Sequence, residues 1–165
     1  MGTTMRTKDA LLRIVDDARG WLEAWSAGFT DAEARDPKGS FANPLAWQLG
    51  HVACGQDDVV RLFGDGTRDL PASLVAICAS GCPAPTAATK FPPLAELWKH
   101  LRRTHARLKS LIESAAESDL DRPPREPSDT FSSLGQAALE ISLHEAYHVG
   151  SISTLRRAHA KPPIA

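Results

Sequence analysis

Four long amphipathic segments, separated by stretches rich in proline, glycine and charge, constrain the fold of this chain more than any other feature. In each segment, apolar residues recur every three or four positions, which is the spacing of one face of an α-helix. The segments are Thr7 to Ala27, Pro44 to Phe63, Leu94 to Ala116 and Leu134 to Ala158. The chain has no convincing strand pattern and no internal repeat. The sequence therefore predicts an all-α protein, an up-down four-helix bundle with an additional short helix at Pro71 to Ala79.

The starts of the first two long helices carry recognisable signals. Thr7 or Asp9 can cap the first helix, because a short polar side chain accepts a hydrogen bond from a free backbone N–H. At the second helix, Asn43 is the expected N-cap, and Pro44 occupies the first helical position, where its missing N–H costs nothing. These signals fix where the chain enters the bundle.

The connections between the helices differ in length. Residues 31–39 are polar and contain a proline and a glycine, so they are expected to form an irregular connection. Residues 80–93 form the longest expected irregular segment, and long connections of this kind often border binding sites. Ser132 or Ser133 is expected to cap the last helix after a charged, proline-rich loop.

Length and charge limit the classes of function. A chain of 165 residues suits one domain, covering 1–165. The formal net charge is −1, from 19 basic and 20 acidic residues, and no long basic run occurs. Nucleic acid and anionic membrane surfaces are therefore excluded as expected partners. The longest apolar stretches are far shorter than the roughly 20 residues of a membrane span.

The three cysteines do not indicate a disulfide framework. Cys54, Cys78 and Cys82 are odd in number and lack the C-x-x-C spacing of redox or zinc motifs. Without a disulfide framework, all three are expected to be reduced and partly buried. The first residues lead directly into a charged amphipathic segment without the apolar core of a signal peptide, so the cytoplasm is the expected location.

A histidine pair near the C-terminus carries the strongest chemical signal. His144 and His148 lie four residues apart, so on a helix both imidazoles project from one face and can share a metal ion. With Glu145 between them, the pair also spells H-E-x-x-H, the zinc-protease motif. That motif needs a downstream ligand, but position 154 is Thr154, no acidic residue follows Glu145, and His159 is the only remaining candidate. The protease interpretation is therefore rejected.

A third ligand must then come from upstream. His51 is the best placed, because the second and fourth long helices of a bundle can face each other. Three imidazoles would hold a metal ion and leave positions open for water or substrate, which is the catalytic rather than the structural arrangement. His105 and Cys54 stay open as alternatives, although His105 lies on an apolar stripe and is more typical of a boundary histidine with a hydrogen-bond partner.

Two motifs together resemble those of the DinB/YfiT-like superfamily. The first is Trp47-Gln48-Leu49-Gly50-His51, and the second is His144-Glu145-Ala146-Tyr147-His148-Val149-Gly150-Ser151-Ile152, followed by Leu155-Arg156-Arg157. The resemblance covers nearly the whole chain. It implies a four-helix bundle, commonly a homodimer, with a divalent metal ion held by His51, His144 and His148. Ser151 departs from the family pattern, in which glutamine often follows the glycine.

The resemblance also implies a class of chemistry. Characterised relatives include transferases and isomerases that use a low-molecular-weight thiol with a small-molecule substrate, and others are described as metal-dependent hydrolases. A metal ion on three histidines suits both, because it stabilises a thiolate or activates water. A bundle that binds metal without catalysis is a further alternative. Zinc or nickel is the expected ion, with iron as a third option, and no catalytic residue is assigned, since Glu145 and Tyr147 have no clear role.

Overall fold

The helical architecture predicted from the sequence is confirmed. The computed structural model describes residues 6–39 and 43–164, and within these ranges it contains six α-helices, one 3-10 helix and no β-strand. The helices are α1 (Thr7–Ser26), α2 (Asp31–Arg35), α3 (Leu45–Phe63), α4 (Ala72–Cys78), α5 (Leu94–Ser114), the 3-10 helix (Glu117–Asp121) and α6 (Leu134–Ala158). Among these described helices, none is both long enough and apolar enough to cross a membrane.

The ends of the long helices lie within two residues of their predicted positions, but some caps differ. Arg6 precedes α1 without a capping side chain, so the prediction of Thr7 or Asp9 as its cap is wrong. Pro44 itself is the N-cap of α3, one residue later than predicted. At α6 the expected serine cap is confirmed, because the hydroxyl of Ser133 accepts a hydrogen bond from the backbone N–H of Gln136 at 3.2 Å.

Helix α2 lies where an irregular connection was expected. A capping box holds it: Thr30 Oγ1 accepts from the N–H of Glu33 at 3.3 Å, and the Glu33 carboxylate accepts from the N–H of Thr30 at 2.8 Å. These two bonds satisfy free backbone donors reciprocally, which stabilises a helix too short to form by propensity alone. The described residues therefore contain two additional short α-helices, α2 and α4, rather than one.

The directions of the four long helices follow from two apolar clusters, one at each end of the bundle. One cluster joins late residues of α1 and α6, such as Leu22 and Ile152, to early residues of α3 and α5, such as Leu49 and Leu97. The other cluster joins early residues of α1 and α6 to late residues of α3 and α5. Helices α1 and α6 therefore run in one direction, and α3 and α5 run in the opposite direction. The predicted up-down order holds for α1 with α3 and for α5 with α6, but α3 and α5 are parallel.

These directions give the connections unequal lengths. The end of α1 and the start of α3 lie at one end of the bundle, and the end of α5 and the start of α6 lie at the other. The connection 64–93 must travel the whole length of the bundle, because it links the end of α3 to the start of the parallel helix α5. Helix α4 lies in this crossover and packs against α3 through Leu74 and Cys78, which are both buried.

A buried polar network ties all four long helices together. Arg19 of α1 donates from Nε to the Glu145 carboxylate of α6 at 2.7 Å and from Nη2 to the side-chain oxygen of Gln56 of α3 at 3.1 Å. Gln56 in turn donates to Glu145 at 2.7 Å and accepts from the hydroxyl of Thr104 of α5 at 3.1 Å. A further Arg19 N–H reaches the carbonyl of Leu101 at 3.0 Å. All four polar residues are buried, so each side chain depends on the others to replace its lost water.

We predict that Glu145→Ala lowers the free energy of unfolding by about 3–5 kcal/mol, because it leaves the buried Arg19 guanidinium without its counter-charge. Thermal and urea unfolding would measure the loss. The double variant Arg19→Met/Glu145→Leu, which removes both charges and keeps the volume, should recover most of that stability. Equal losses in the single and double variants would contradict the network as described.

Candidate metal centre

The structure brings together the three histidines that the sequence singled out. His51 lies on α3, and His144 and His148 lie one turn apart on α6. One ring nitrogen from each of the three lies within 4.8 Å of the other two. Among the described residues, this is the group of histidine, cysteine and acidic side chains that could hold a metal ion.

His51 is held in place from two sides. Its Nδ1–H donates to the backbone carbonyl of Cys78, at the C-terminal end of α4, over 2.7 Å. Because a carbonyl can only accept, the proton of the neutral ring lies on Nδ1, and Nε2 keeps its lone pair. The Trp47 ring stacks on the imidazole, with centroids 4.5 Å apart and planes inclined by 13°. His51 is therefore oriented with one nitrogen free for a ligand.

The bond from His51 to α4 depends on the close approach of α4 to α3 at Gly50. A Cβ at Gly50 would overlap the Cys78 Sγ and lie 3.1 Å from the Cys78 Cβ and 3.3 Å from the Leu74 Cδ1. Only glycine therefore lets the end of α4 lie directly on α3. The residue before His51 thus places the carbonyl that orients His51.

His148 is oriented in the same way by Gln48. The Gln48 amide nitrogen donates to the carbonyl of Asn43 at 2.8 Å, which turns its side-chain oxygen toward His148. That oxygen accepts from His148 Nδ1 at 3.1 Å, so the free lone pair of the neutral ring is again on Nε2. Both Gln48 and His148 are buried, so this bond is shielded from bulk water.

His144 completes the group. Its Nε2 lies 3.1 Å from Nε2 of His148, and its Nδ1 is buried without a hydrogen-bond partner among the described residues. Burial, together with the nearby His51, lowers the pKa of His144 to about 4. Burial and the neighbouring imidazoles of His144 and His51 lower the pKa of His148 to about 3. At neutral pH both rings are therefore uncharged, which is the form that binds a metal ion.

The donor set fits a divalent transition-metal ion. Two ligands bound to one zinc ion at about 2.0–2.1 Å in tetrahedral geometry lie about 3.3 Å apart. The Nε2 atoms of His144 and His148 are 3.1 Å apart and all three nitrogens lie within 4.8 Å of one another, so a small movement of the side chains would suffice. Hydrogen bonds from Nδ1 of His51 and His148 to protein oxygens are the usual supports of metal-binding imidazoles.

A cavity of about 280 Å³ opens beside the three nitrogens. Besides the histidines, it is lined by Asn43, Trp47, Gln48, Tyr147 and Ser151. The Tyr147 side chain is exposed and lies at its rim. Among residues 6–39 and 43–164, no carboxylate or thiol lines this cavity to close the site with a fourth protein ligand. Three nitrogens and an open side are typical of a catalytic rather than a structural metal site.

The alternative ligands considered from the sequence lie elsewhere. His105 bonds Asp16 through Nε2 at 3.2 Å, as expected for a boundary histidine, and burial, with a contribution from Arg19, lowers its pKa to about 4. Cys54 is buried, which raises the pKa of its thiol to about 12. Neither belongs to the three-histidine group. His159, the downstream candidate for a protease site, bonds to the Asp36 carbonyl instead.

The central glutamate of H-E-x-x-H has no part in this site. Glu145 is one residue, or about 100°, round the helix from His144, and it points into the core toward Arg19. It is neither a surface residue nor a hydrogen-bond partner of the histidines. This placement gives a physical reason to reject the protease interpretation. A carboxylate that is paired with Arg19 in the core cannot activate water at the histidines.

Sequence reasoning missed two supports of the site. Gln48 was named only as part of a motif. It lies three residues before His51 on α3, so its side chain is beside His51 on the surface that faces α6. The Cys78 carbonyl is a backbone group, so no side-chain pattern announces it. The only indirect signal was Gly50, since a glycine inside a helix often marks a close approach of another element.

Comparisons with known proteins agree with this architecture. The family model described as the DinB superfamily matches residues 13–152, well over half of the chain. A crystal structure described as the conserved protein of a locus from Enterococcus faecalis superposes with a TM-score of 0.69. The superposition covers 94% of this chain and 98% of that one at 16% identity, which shows a shared fold alone. No curated protein sequence matches the chain.

We predict that Gly50→Ala lowers zinc affinity, because its methyl group would push α4 and the Cys78 carbonyl away from His51. Loss of such a supporting hydrogen bond typically weakens metal binding about 10–100-fold. Competition titration against a chromophoric chelator would measure the change.

Gly150→Ala is the matched control for this prediction. Gly150 lies on α6, two residues after His148, and a Cβ there meets no atom of the described residues within 4 Å. This change should leave the affinity unaltered and stabilise the helix by about 0.5–1 kcal/mol. Equal affinities for the two alanine variants would show that the approach of α4 does not orient His51.

Proposed function

This chain belongs to the DinB superfamily, and on that premise we propose that it binds one divalent metal ion through His51, His144 and His148. The observation that carries the proposal is the convergence of three imidazoles, two of which have Nδ1 hydrogen-bonded to protein oxygens and therefore carry the lone pair of the neutral ring on Nε2. Imidazole ligands suit several first-row ions. We expect zinc or nickel, with iron as a third option, according to availability.

The activity we propose is that of a metal-dependent enzyme that uses a low-molecular-weight thiol as cosubstrate, in a transfer or isomerisation reaction. A divalent ion at the three histidines would act as a Lewis acid that favours the thiolate over the thiol at neutral pH. The open side of the site supports this proposal, because a thiol and a second small molecule need room beside the histidines. The same site could instead activate water, which would make the protein a hydrolase.

The residues around the cavity would bind and orient the reactants. The Ser151 hydroxyl and the Asn43 side chain offer hydrogen bonds at the edge of the cavity, and Trp47 supplies an apolar wall that also holds His51. Tyr147 is the most exposed of these, with a side chain free to contact a substrate. His144 and His148 are neutral and the described lining contains no acidic residue, so proton removal from the thiol falls to the ion and the solvent.

We also propose that two copies of the chain associate through α1 and α6. Five large apolar side chains are exposed in the described residues, and all lie on these two adjacent helices: Ile14, Trp21, Leu139, Leu143 and Tyr147. The last three follow one another at intervals of four residues, which makes a continuous stripe on α6. A contiguous apolar face of this kind is typical of an interface between proteins.

The metal and the activity can be tested together. We predict about one equivalent of zinc, nickel or iron in protein purified without a nickel resin, and consumption of an electrophile that requires a thiol from a panel including mycothiol, bacillithiol and glutathione. His148→Ala should lose both the metal and the activity. Elemental analysis by mass spectrometry and a thiol-dependent assay would measure these.

His105→Ala is the control histidine, since His105 bonds Asp16 away from the site and should be dispensable for metal content. Turnover of an ester or amide without any thiol would identify a hydrolase. Bound metal without turnover would leave a metal-binding bundle, and protein free of metal after incubation with each ion would refute the site itself.

For the association, we predict that Leu143→Glu converts a dimer to a monomer, because it places a charge in the apolar stripe of α6. Light scattering after size-exclusion chromatography would give the mass. Lys99→Glu changes an exposed residue of α5 outside this face and should leave the dimer intact. A monomeric unmodified protein at micromolar concentration would contradict the proposal.

A further inference from the structure

A second, larger cleft adjoins the metal centre. It has a volume of about 490 Å³ and lies between α3, α6 and the loop 127–131. Of the residues that line the two cavities, His144 alone belongs to both. A ligand bound in this cleft would therefore lie beside the histidine group, and the volume is within the range of small-molecule sites.

The loop 127–131 forms the outer wall of this cleft, and the residues that precede it are hydrogen-bonded to α3. The backbone N–H of Arg125 donates to the carbonyl of Leu62 at 3.0 Å, and the Arg122 guanidinium donates to the carbonyl of Phe63 at 3.1 Å. Within the loop, the Ser128 hydroxyl accepts from the N–H of Phe131 at 3.1 Å. These bonds hold the Phe131 ring against the apolar core, so the cleft exists before any ligand enters.

Arg61 is the residue of the cleft lining that has a positive charge and unused hydrogen-bond donors. Arg61 has a single long contact with a carboxylate, 3.4 Å from Nη1 to the largely exposed Glu126, and its Nε is buried without a partner in the part of the chain that the structure describes. The acidic residues of the lining already have partners: Asp58 is paired with Arg68, and Glu140 accepts from Gln136 at 2.6 Å. The charged group with unused capacity is therefore the Arg61 guanidinium, which binds carboxylates well.

The remaining lining indicates what else the ligand carries. Leu62, Phe131 and Ile141 give the cleft apolar walls along its length. Asp58 and Glu140 would repel a ligand with several negative charges, such as a nucleotide. The chemistry of the cleft thus matches a molecule with one carboxylate and an apolar body.

We propose that this cleft binds a small monocarboxylic acid, with its carboxylate on Arg61, its apolar body against Phe131, and its reacting end at His144. The assignment of a reacting end rests on the proposed metal-dependent function, whereas the binding of the acid does not. Along α3, Gly55 lies against His144 and Arg61 lies six residues further, a rise of about 9 Å along the helix axis. We take this rise as the expected separation of the carboxylate from the reacting group of the ligand.

A series of thiol acids of increasing length tests both ends of the proposed ligand. The probes are 3-mercaptopropionate, 6-mercaptohexanoate and 11-mercaptoundecanoate, titrated calorimetrically into the zinc-loaded protein. An extended chain advances about 1.2 Å per bond, so 6-mercaptohexanoate should bind most tightly. It should also bind about five- to tenfold more tightly than 6-mercaptohexanol, which has the same thiol and chain but no carboxylate.

Arg61→Gln should abolish this preference for the acid while leaving the affinity for the alcohol unchanged. Arg157→Gln removes an exposed arginine at the far end of α6 and is the matched control, which should keep the preference. Equal affinities for acid and alcohol in the unmodified protein, or a preference that survives in Arg61→Gln, would overturn the proposal.

The metal-free protein separates this inference from the proposed function. Hexanoate has no thiol, so its binding does not need a metal ion, and it should still weaken in Arg61→Gln. If the protein holds no metal but hexanoate binding depends on Arg61, the cleft proposal stands and the metal proposal fails. If metal binds and hexanoate binding is absent or independent of Arg61, the cleft proposal fails alone.

Discussion

The buried ion pair between Arg19 and Glu145 is the interaction on which the rest of the structure depends. It joins the first and last helices, and through Gln56 and Thr104 it reaches the other two. A buried charge pair, which has lost its hydrating water, is stable only when its geometry is good and every remaining donor or acceptor is hydrogen-bonded. Apolar packing would allow α6 to rotate or slide by small amounts, whereas these directional bonds permit one arrangement of the four helices.

That constraint reaches the metal centre through a single turn of α6. Glu145 follows His144 directly, so the same turn that points the carboxylate into the core points the imidazole toward α3. Rotation of α6 would therefore break the ion pair and separate His144 and His148 from His51 at once. The fixed rotation of this helix therefore brings His144 and His148 together with His51, which comes from a distant part of the sequence.

The sequence predicted the parts of this protein that depend on local pattern. Apolar periodicity located the four long helices, and the four-residue spacing of His144 and His148 indicated that both project from the same face of one helix. The capping box at Thr30 and Glu33 was also present as a local signal, and interpreting the segment as a connection missed it. These features depend on neighbours within one or two turns, which a sequence displays directly.

The features that the sequence did not reveal depend on contacts across long separations or on the backbone. The role of Glu145 could not be assigned from its neighbours, because its partner Arg19 is 126 residues away and nothing in the local pattern links them. The acceptor for His51 is a backbone carbonyl, and the spare capacity of Arg61 is visible only once its neighbours are known to have other partners. Each of these contacts is determined by how the helices pack together and not by the helix propensity of the residues.

The separation of Arg19 from Glu145 also sets an order of assembly. Ribosomal synthesis proceeds from the N-terminus, so among the described helices α6 emerges after the other five. Until it docks, the Arg19 guanidinium has no carboxylate, the core lacks one wall, and His51 has neither of the other two histidines beside it. Folding of the core and assembly of the metal centre are thus one event, so a nascent or truncated chain cannot present a finished metal site on an unfinished bundle.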